Sequence, residues 1–400
     1  MGWPDFAPAQ GVEGEVLGYL ELRAYGLGGQ GDNLDRLDEL AALIPGGFEL
    51  GFHPEEQWGL VTRARPTVKL HLGDQSLVFT PQASTAHGFF GRDVTKVPDV
   101  VTVERAYLSL VRGDFDLTLG KQLLRYGSGL LVNPTDVFNQ RNLADLNAEL
   151  PGVWAARVLW ALGEMSNLQV AGALDPARCC EAVAFARYDL TLDATDGAVT
   201  AAYDGRRERA FVGLDVKTDL VVGAWLEGVW TFQLDHPVAP KGTVALEAGL
   251  DYSFDVLGQL YLAAEWIHQG DAPGGPWRGP TDAPPDYLDA RRSPGGSGLL
   301  GSNYLLGLAR LGIVEELQVQ VMGLVNLADP SGAAVGQLTY WPTGALEFIF
   351  GAQWNLGDPG TEFHLVLPDP MPLPGPLGAS LAGQRLNPEW MIWLWGKIFF

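Results

Sequence analysis

Apolar and polar residues alternate with a period of two along most of this chain. Over residues 15–25, Val16, Gly18, Leu20, Leu22 and Ala24 share one face, while Glu15, Tyr19, Glu21 and Arg23 share the other. That period predicts a strand. Over 60–72, Arg63, Arg65, Lys69 and His71 lie with Thr67 opposite Ala64, Pro66, Val68 and Leu70. A protein core would need a partner for each of these basic groups, whereas a water-filled lumen would not. Residues 76–84 return with Leu77, Phe79 and Ala83 outward, 101–111 set Arg105, Tyr107 and Ser109 against Ala106, Leu108 and Leu110, and 115–124 follow after a turn at Arg112-Gly-Asp. Further strands are predicted over 153–162, 166–174, 181–191, 197–204, 207–217, 220–232, 243–254 and 257–268, then 299–310, 314–327, 333–341, 345–356 and 388–400. Two are especially regular. In 243–254, Val244, Leu246, Ala248, Leu250 and Tyr252 oppose Glu247, Asp251 and Ser253; in 314–327, Leu317, Val319, Val321 and Val325 oppose Glu316, Gln318, Gln320 and Asn326. Glu104, Lys121 and Arg125 break the alternation and would face lipid unless a bulge shifts the phase or they snorkel to a rim.

The strands number about eighteen, with sixteen as the alternative, and the connections sort by length. Short ones, such as Gly73-Asp-Gln, Arg112-Gly-Asp, Gly163-Glu-Met and Pro342-Thr-Gly, are interleaved with long ones at 26–56, 85–99, 125–151, 269–298 and 357–387. A soluble sandwich or solenoid has no reason to sort its loops in this way, but a transmembrane barrel does. The predicted fold is all-β: one antiparallel up-and-down transmembrane β-barrel over 1–400, with short periplasmic turns and long extracellular loops. Within 26–56, a short amphipathic helix capped by Asp32 or Asn33 is expected. Trp154, Trp160, Tyr252, Phe254, Trp266, Tyr340 and Trp354 fall near strand ends on the outward parity, as in an interfacial girdle.

The last stretch, W-M-I-W-L-W-G-K-I-F-F, places Ile392, Leu394, Gly396, Ile398 and Phe400 on one face and Trp393, Trp395, Lys397 and Phe399 on the other. It resembles the closing strand of a bacterial outer-membrane β-barrel. The resemblance implies that it pairs with 15–25, that Phe400, Trp393 and Trp395 seal the barrel, and that barrel-assembly machinery reads the terminal aromatic. Lys397 would then point into the lumen.

Composition agrees with a wall of this kind. Apolar residues make up 47% but mean hydropathy is only +0.05, so half of each strand is polar, and no run reaches the length of a membrane helix. A net charge of −22 argues against nucleic acid. By parity, acidic and basic residues of the wall nearly balance, which places the acidic excess in loops and predicts a weak cation preference. The adjacent Cys179 and Cys180 offer neither an unstrained disulfide nor a metal site. Met1-Gly-Trp-Pro lacks a signal-peptide pattern, so the numbering of an exported barrel would begin near its mature end. No phosphate loop, zinc spacing or nucleophile elbow is present, and neither an enzyme nor a cofactor is expected.

The most distinctive segment runs from Gly120-Lys-Gln through Tyr126-Gly-Ser-Gly to Asn133-Pro-Thr-Asp-Val-Phe-Asn139. It resembles the G-[KR]-Q…[WY]-G-x-G…N-P-T-D-x-F-N run of a group of poorly characterised Gram-negative outer-membrane barrels and, more loosely, the alginate-export type of porin. That resemblance implies a transport channel, although the acidic balance of this chain suits an anionic polymer poorly. Loop 125–151 is the candidate for an inward, pore-narrowing loop, in which Arg125, Asp136, Asn139, Arg141, Asn142 and Asp145 would meet Arg63, Arg65 and Arg105 from the wall. The function expected is diffusion or facilitated transport of small hydrophilic solutes. The competing expectation is a plugged scaffold barrel binding a partner protein through its long loops. Outer-membrane lipid and lipopolysaccharide would surround either one.

Overall fold

In a computed structural model, residues 13–28, 57–90, 93–139, 150–175, 178–234, 242–256, 258–272, 298–364 and 388–400 are described. Arg141, Asn142, Asp145, most of the loop over 26–56 with its expected helix, and the larger parts of 269–298 and 357–387 lie outside these residues. The chain forms β1 (Glu13–Gly28), β2 (Gln57–Leu72), β3 (Gln75–Phe90), β4 (Asp93–Arg112), β5 (Phe115–Gln122) and β6 (Val153–Gly163). Next come β7 (Ser166–Asp175), β8 (Arg178–Leu192), β9 (Thr195–Asp204), β10 (Arg209–Asp219), β11 (Gly223–Gln233) and β12 (Thr243–Phe254). The wall is completed by β13 (Gln259–Gln269), β14 (Asn303–Val314), β15 (Leu317–Asn326), β16 (Ser331–Thr343), β17 (Leu346–Gly357) and β18 (Trp390–Phe399).

Each strand pairs antiparallel with its sequence neighbours in a single 18-stranded sheet, and β1 closes on β18 from Tyr19↔Phe399 to Gly28↔Trp390. Closure leaves no sheet edge, which is the condition for strands to stand in hydrocarbon. The strand count is eighteen, the first of the two expectations. Phe400 extends the seam beyond β18: its N–H donates to Gly18 O (3.0 Å) and its carbonyl accepts from Gly18 N–H (2.8 Å). Trp393 and Trp395 lie opposite Tyr25 and Arg23 across this seam, with both indoles buried inside the barrel and the Arg23 guanidinium 4.0 Å from the Trp395 ring. Lys397 also faces inward, 3.3 Å from Glu347 and 3.7 Å from Glu21.

The outward parity carries exposed apolar residues on every side, including Val16, Leu22, Val199, Leu250 and Phe350. The seven aromatics expected in a girdle are all exposed as well. Two irregularities were expected only in part. First, the supposed loop over 85–99 is mostly strand, because β3 and β4 continue to Phe90 and from Asp93. The register shifts between Ser84↔Val100 and Ala86↔Val97, and this jump accommodates Pro98, which has no N–H for the ladder. Second, Val103 and Arg105 pair with the adjacent residues Pro81 and Thr80, so Glu104 is the extra residue of a bulge. Lys121 donates to Val103 O (2.6 Å) instead of standing free in lipid. Glu316, expected on the wall, sits exposed in the turn between β14 and β15.

The interior departs most from expectation along β13–β18. There apolar residues share the inward face with polar ones such as Gln320, Gln337 and Gln353, and Ile267, Leu306, Leu308, Met322, Leu324, Val335 and Ile349 are buried. They pack against Leu131, Val132, Leu299 and Phe363 from chain outside the strands. The segment around Phe363 is fixed by Glu362, which accepts from Leu300 N–H (2.8 Å) and Asn326 Nδ2–H (2.7 Å). An apolar core therefore fills part of the lumen along β13–β18, and a second one around Leu124, Phe138 and Phe185 lies against β7–β11.

Candidate functional site

The inward segment begins where β5 must stop. Gly120 has φ +121°, and a Cβ there would lie 2.2 Å from Ala106 O, so the position demands glycine. Gln122 then caps the strand, its Nε2 donating to Thr118 O and Ala155 O, each at 3.1 Å. Beyond it the chain turns into the barrel and returns on itself. Asp136 ties the two limbs together by accepting from the N–H groups of Tyr126 (3.3 Å), Phe138 (3.0 Å) and Asn139 (3.2 Å). Asn139 Nδ2 donates to Asp136 and to Leu124 O, closing the base of the loop. Asp136 N–H bonds Asn133 O at 3.0 Å, completing the turn expected at Asn-Pro-Thr-Asp. Tyr126 stacks on Phe185 of β8 with centroids 4.3 Å apart, and Phe138 packs against the same ring at 5.4 Å.

These contacts leave Asp136 and Tyr126 in a dry environment. Burial raises the Asp136 pKa, against the opposing effect of Asn139 and the three amides. Burial likewise pushes Tyr126 up to about 12. Both side chains brace the segment, and Tyr126 also forms part of the wall of the cavity beside it.

The wall holds the segment by its backbone. Glu227 of β11 accepts from Thr135 N–H (2.5 Å) through Oε1 and from Ser128 N–H (3.1 Å) through Oε2. Glu265 of β13 accepts from Leu130 N–H (2.5 Å) and Leu131 N–H (3.3 Å). Ser128 Oγ donates to Asp215 of β10 (2.7 Å), and Arg206 Nη2 donates to Val137 O (3.0 Å). Gly127 and Gly129 permit this approach: a Cβ on Gly127 would lie 2.6 Å from Glu227 Oε2, and one on Gly129 would lie 2.1 Å from Glu247 Oε2. The Tyr-Gly-Ser-Gly run is thus a backbone surface that receives carboxylates, and all three glutamates are essentially unexposed.

The expected basic residues divide between two cavities. One, of about 630 Å³, lies beside the segment and is lined by Arg125, Arg157, Arg187, Lys217, Asp189 and Asp215, among others. Arg187 pairs with Asp189 (2.6 Å) and Asp215 (3.0 Å), Arg157 with Asp116 (3.3 Å) and Lys217 with Asp219 (3.8 Å). Arg125 is exposed, and no carboxylate among the described residues pairs with it. The second cavity, of about 470 Å³, lies toward the chain-terminal end of β1–β4 and is lined by Arg65, Lys69, Arg105, Tyr19 and Tyr107 with other residues. Arg63 instead joins Arg23 and Lys397 around the buried Glu21. Arg63, Arg65 and Arg105 therefore do not meet Asp136 and Asn139 in one ring. Glu227, Glu247 and Glu265 are the residues that sequence reasoning left out of the site. Their only signal was an inward acidic residue on each of three successive strands.

Solved structures supply the comparison. Pseudomonas aeruginosa OccK2 (OpdF) aligns with a TM-score of 0.57 at 12% identity over 96% of this chain and 98% of that one. OccK11 (OpdR) of the same organism gives 0.56 at 9% identity over 96% of both chains. The outer-membrane protein OprD, also of Pseudomonas aeruginosa, gives 0.55 at 9% identity over 96% of this chain and 93% of that one. The fold is that of the OprD porins. No protein-family model and no curated protein matches the sequence. Within the OprD-type barrel, 120–139 supplies the inward segment and the 630 Å³ polar cavity lies between it and β6–β10. OccK2 has also been solved in complex with glucuronate.

Proposed function

We propose that the protein is an outer-membrane channel for small hydrophilic solutes, with anions favoured over cations. The observation that carries this reading is the difference in cover between acidic and basic wall groups. Glu227, Glu247 and Glu265 lie beneath the inward segment, whereas in the 630 Å³ cavity Arg125, Arg157, Arg187 and Lys217 face Asp189, Asp196 and Asp215, and Arg125 is exposed with no carboxylate among the described residues paired to it. Ions in a pore respond to the groups they meet, so the −22 total matters less than this lining. This reading replaces the weak cation preference expected from parity. The structural likeness to OccK2 makes glucuronate a reasonable first solute to try.

In planar bilayers under a salt gradient, the purified barrel is expected to give a reversal potential on the anion side, and Arg125→Glu to move it toward cations. A cation-selective wild type would sink the anion reading, and absence of any conductance would sink the channel. The alternative, a closed scaffold barrel with a partner at its long loops, draws support from the apolar filling along β13–β18. It predicts no conductance together with a stoichiometric protein that co-purifies. The alginate-export likeness rests on the 120–139 motif alone, and in our reading that motif builds the segment and does not select a polymer. Lipid and lipopolysaccharide against the exposed aromatic band, and assembly machinery at the closing strand, complete the proposed partners.

A further inference from the structure

Three acidic side chains lie together under the inward segment, and they are not equivalent. Glu227 and Glu247 are direct cross-strand partners, and Glu265 lies opposite Gly249, diagonal to Glu247. Like charges placed opposite each other on adjacent strands oppose pairing. Among the described residues none of the three has an ion-pair partner, and the nearby Arg187 and Arg310 bond elsewhere, to Asp189 with Asp215 and to Gln320. Glu227 and Glu265 each receive two backbone N–H groups of the segment. Glu247 receives none of them. It accepts from Trp225 Nε1–H (2.6 Å) and is hydrogen-bonded to the Glu265 side chain, and its buried Oε2 meets no other donor.

We infer that Glu227 and Glu265 are positioning residues that latch 123–139 across the lumen, and that Glu247 opposes the latch and sets how readily the segment undocks. The inference rests on the channel reading for its meaning, because the docked segment defines the passage. Its physical basis is separate. A carboxylate that receives amides from the segment stabilises the docked state, since charge-assisted bonds are about twice as strong as neutral ones. A third carboxylate beside them, without an amide of its own, raises the energy of the same state. Neutralising the members of the cluster should therefore have opposite effects. A Gln at 247 removes the repulsion and can donate to its acidic neighbours, whereas a Gln at 227 or 265 keeps the shape but weakens acceptance.

The test separates docking from conduction. In a Cys179→Ser, Cys180→Ser background, Val132→Cys places a thiol where Val132 is buried against the β13–β18 core. Its labelling by a water-soluble maleimide then reports undocking in the folded barrel. Glu227→Gln with Glu265→Gln is expected to speed labelling by about tenfold or more, the scale of losing charge-assisted bonds. Glu247→Gln is expected to slow it by several-fold. In bilayers the first variant should spend more time in high-conductance states and the second less. Equal effects of all three substitutions, or faster labelling in Glu247→Gln, would overturn the latch. Because Glu247→Gln should fold at least as well as wild type, its outcome stands even if the double variant assembles poorly. Opposed labelling effects without current in any variant would retain the latch and reject the channel.

Discussion

Replacing residues 127–137 by two glycines is expected to raise single-channel conductance by about twofold or more and to turn the channel toward cations. The conductance gain follows from where the segment sits. It crosses from β5 to β10, β11 and β13, held there by Asp215, Glu227 and Glu265, and occupies space that an eighteen-stranded wall would otherwise leave to water. The change in selectivity is the sharper result. Excision uncovers Glu227, Glu247 and Glu265, whose side chains are now 0%, 0% and 1% exposed, and places three carboxylates along the path of the ion. Such a ring favours cations. The excision takes no residue from any strand, and most of the polar bonds it removes are internal to the segment or run from its backbone to the wall, so the barrel should tolerate it. Unchanged conductance with unchanged reversal potential would mean that solute passes elsewhere, or not at all.

Strand order, closure and facing were legible because one face of most strands is polar. In β12, Glu247 and Asp251 against Leu250 and Tyr252 leave only one register. The same logic failed on β14, where Tyr304, Leu306 and Leu308 are buried inside while Leu305 is exposed outside. A strand with apolar residues on both faces shows no alternation, so β14 carries a weaker periodic signal than its neighbour β15, where Gln318, Gln320 and Asn326 put polar residues on the inward face. Parity also reports direction but not cover. By parity Glu227, Glu247 and Glu265 all face inward, as they do in the barrel, yet nothing in their spacing indicates that backbone from Ser128 to Thr135 lies over them. Asp136 and Asn139 show the reverse case. Their polarity suggested contact with solute, but Asp136 accepts three main-chain N–H groups and Asn139 closes the loop base. Polar side chains in a Gly- and Pro-rich turn often bind local backbone, and a sequence does not distinguish that use from lining a pore.

Removing Phe400 is expected to lower the yield of folded barrel severely while leaving the conductance of assembled molecules near wild type. Phe400 lies one residue past β18 and exchanges both main-chain bonds with Gly18 of β1, at 3.0 and 2.8 Å. Its loss strands a donor and an acceptor on the one seam that joins chain ends, in surroundings where each unpaired group costs several kcal/mol. The ring contributes as well. A Cβ on Gly18 would lie 2.9 Å from the Phe400 ring and 2.7 Å from Arg65 O, so the ring lies close over a bare stretch of β1. Conduction has no such dependence. The segment at 123–139 is anchored on β10, β11 and β13, across the barrel from the seam, and Arg125 lines the cavity beside β6–β10. Heat-modifiable migration on gels measures the assembled fraction, and bilayer recording of that fraction measures the pore. Phe400→Trp, which keeps the backbone pair and an aromatic ring, should recover much of the yield. Normal assembly of the deletion would show that the ladder from Tyr19 to Gly28 closes the barrel without its last residue.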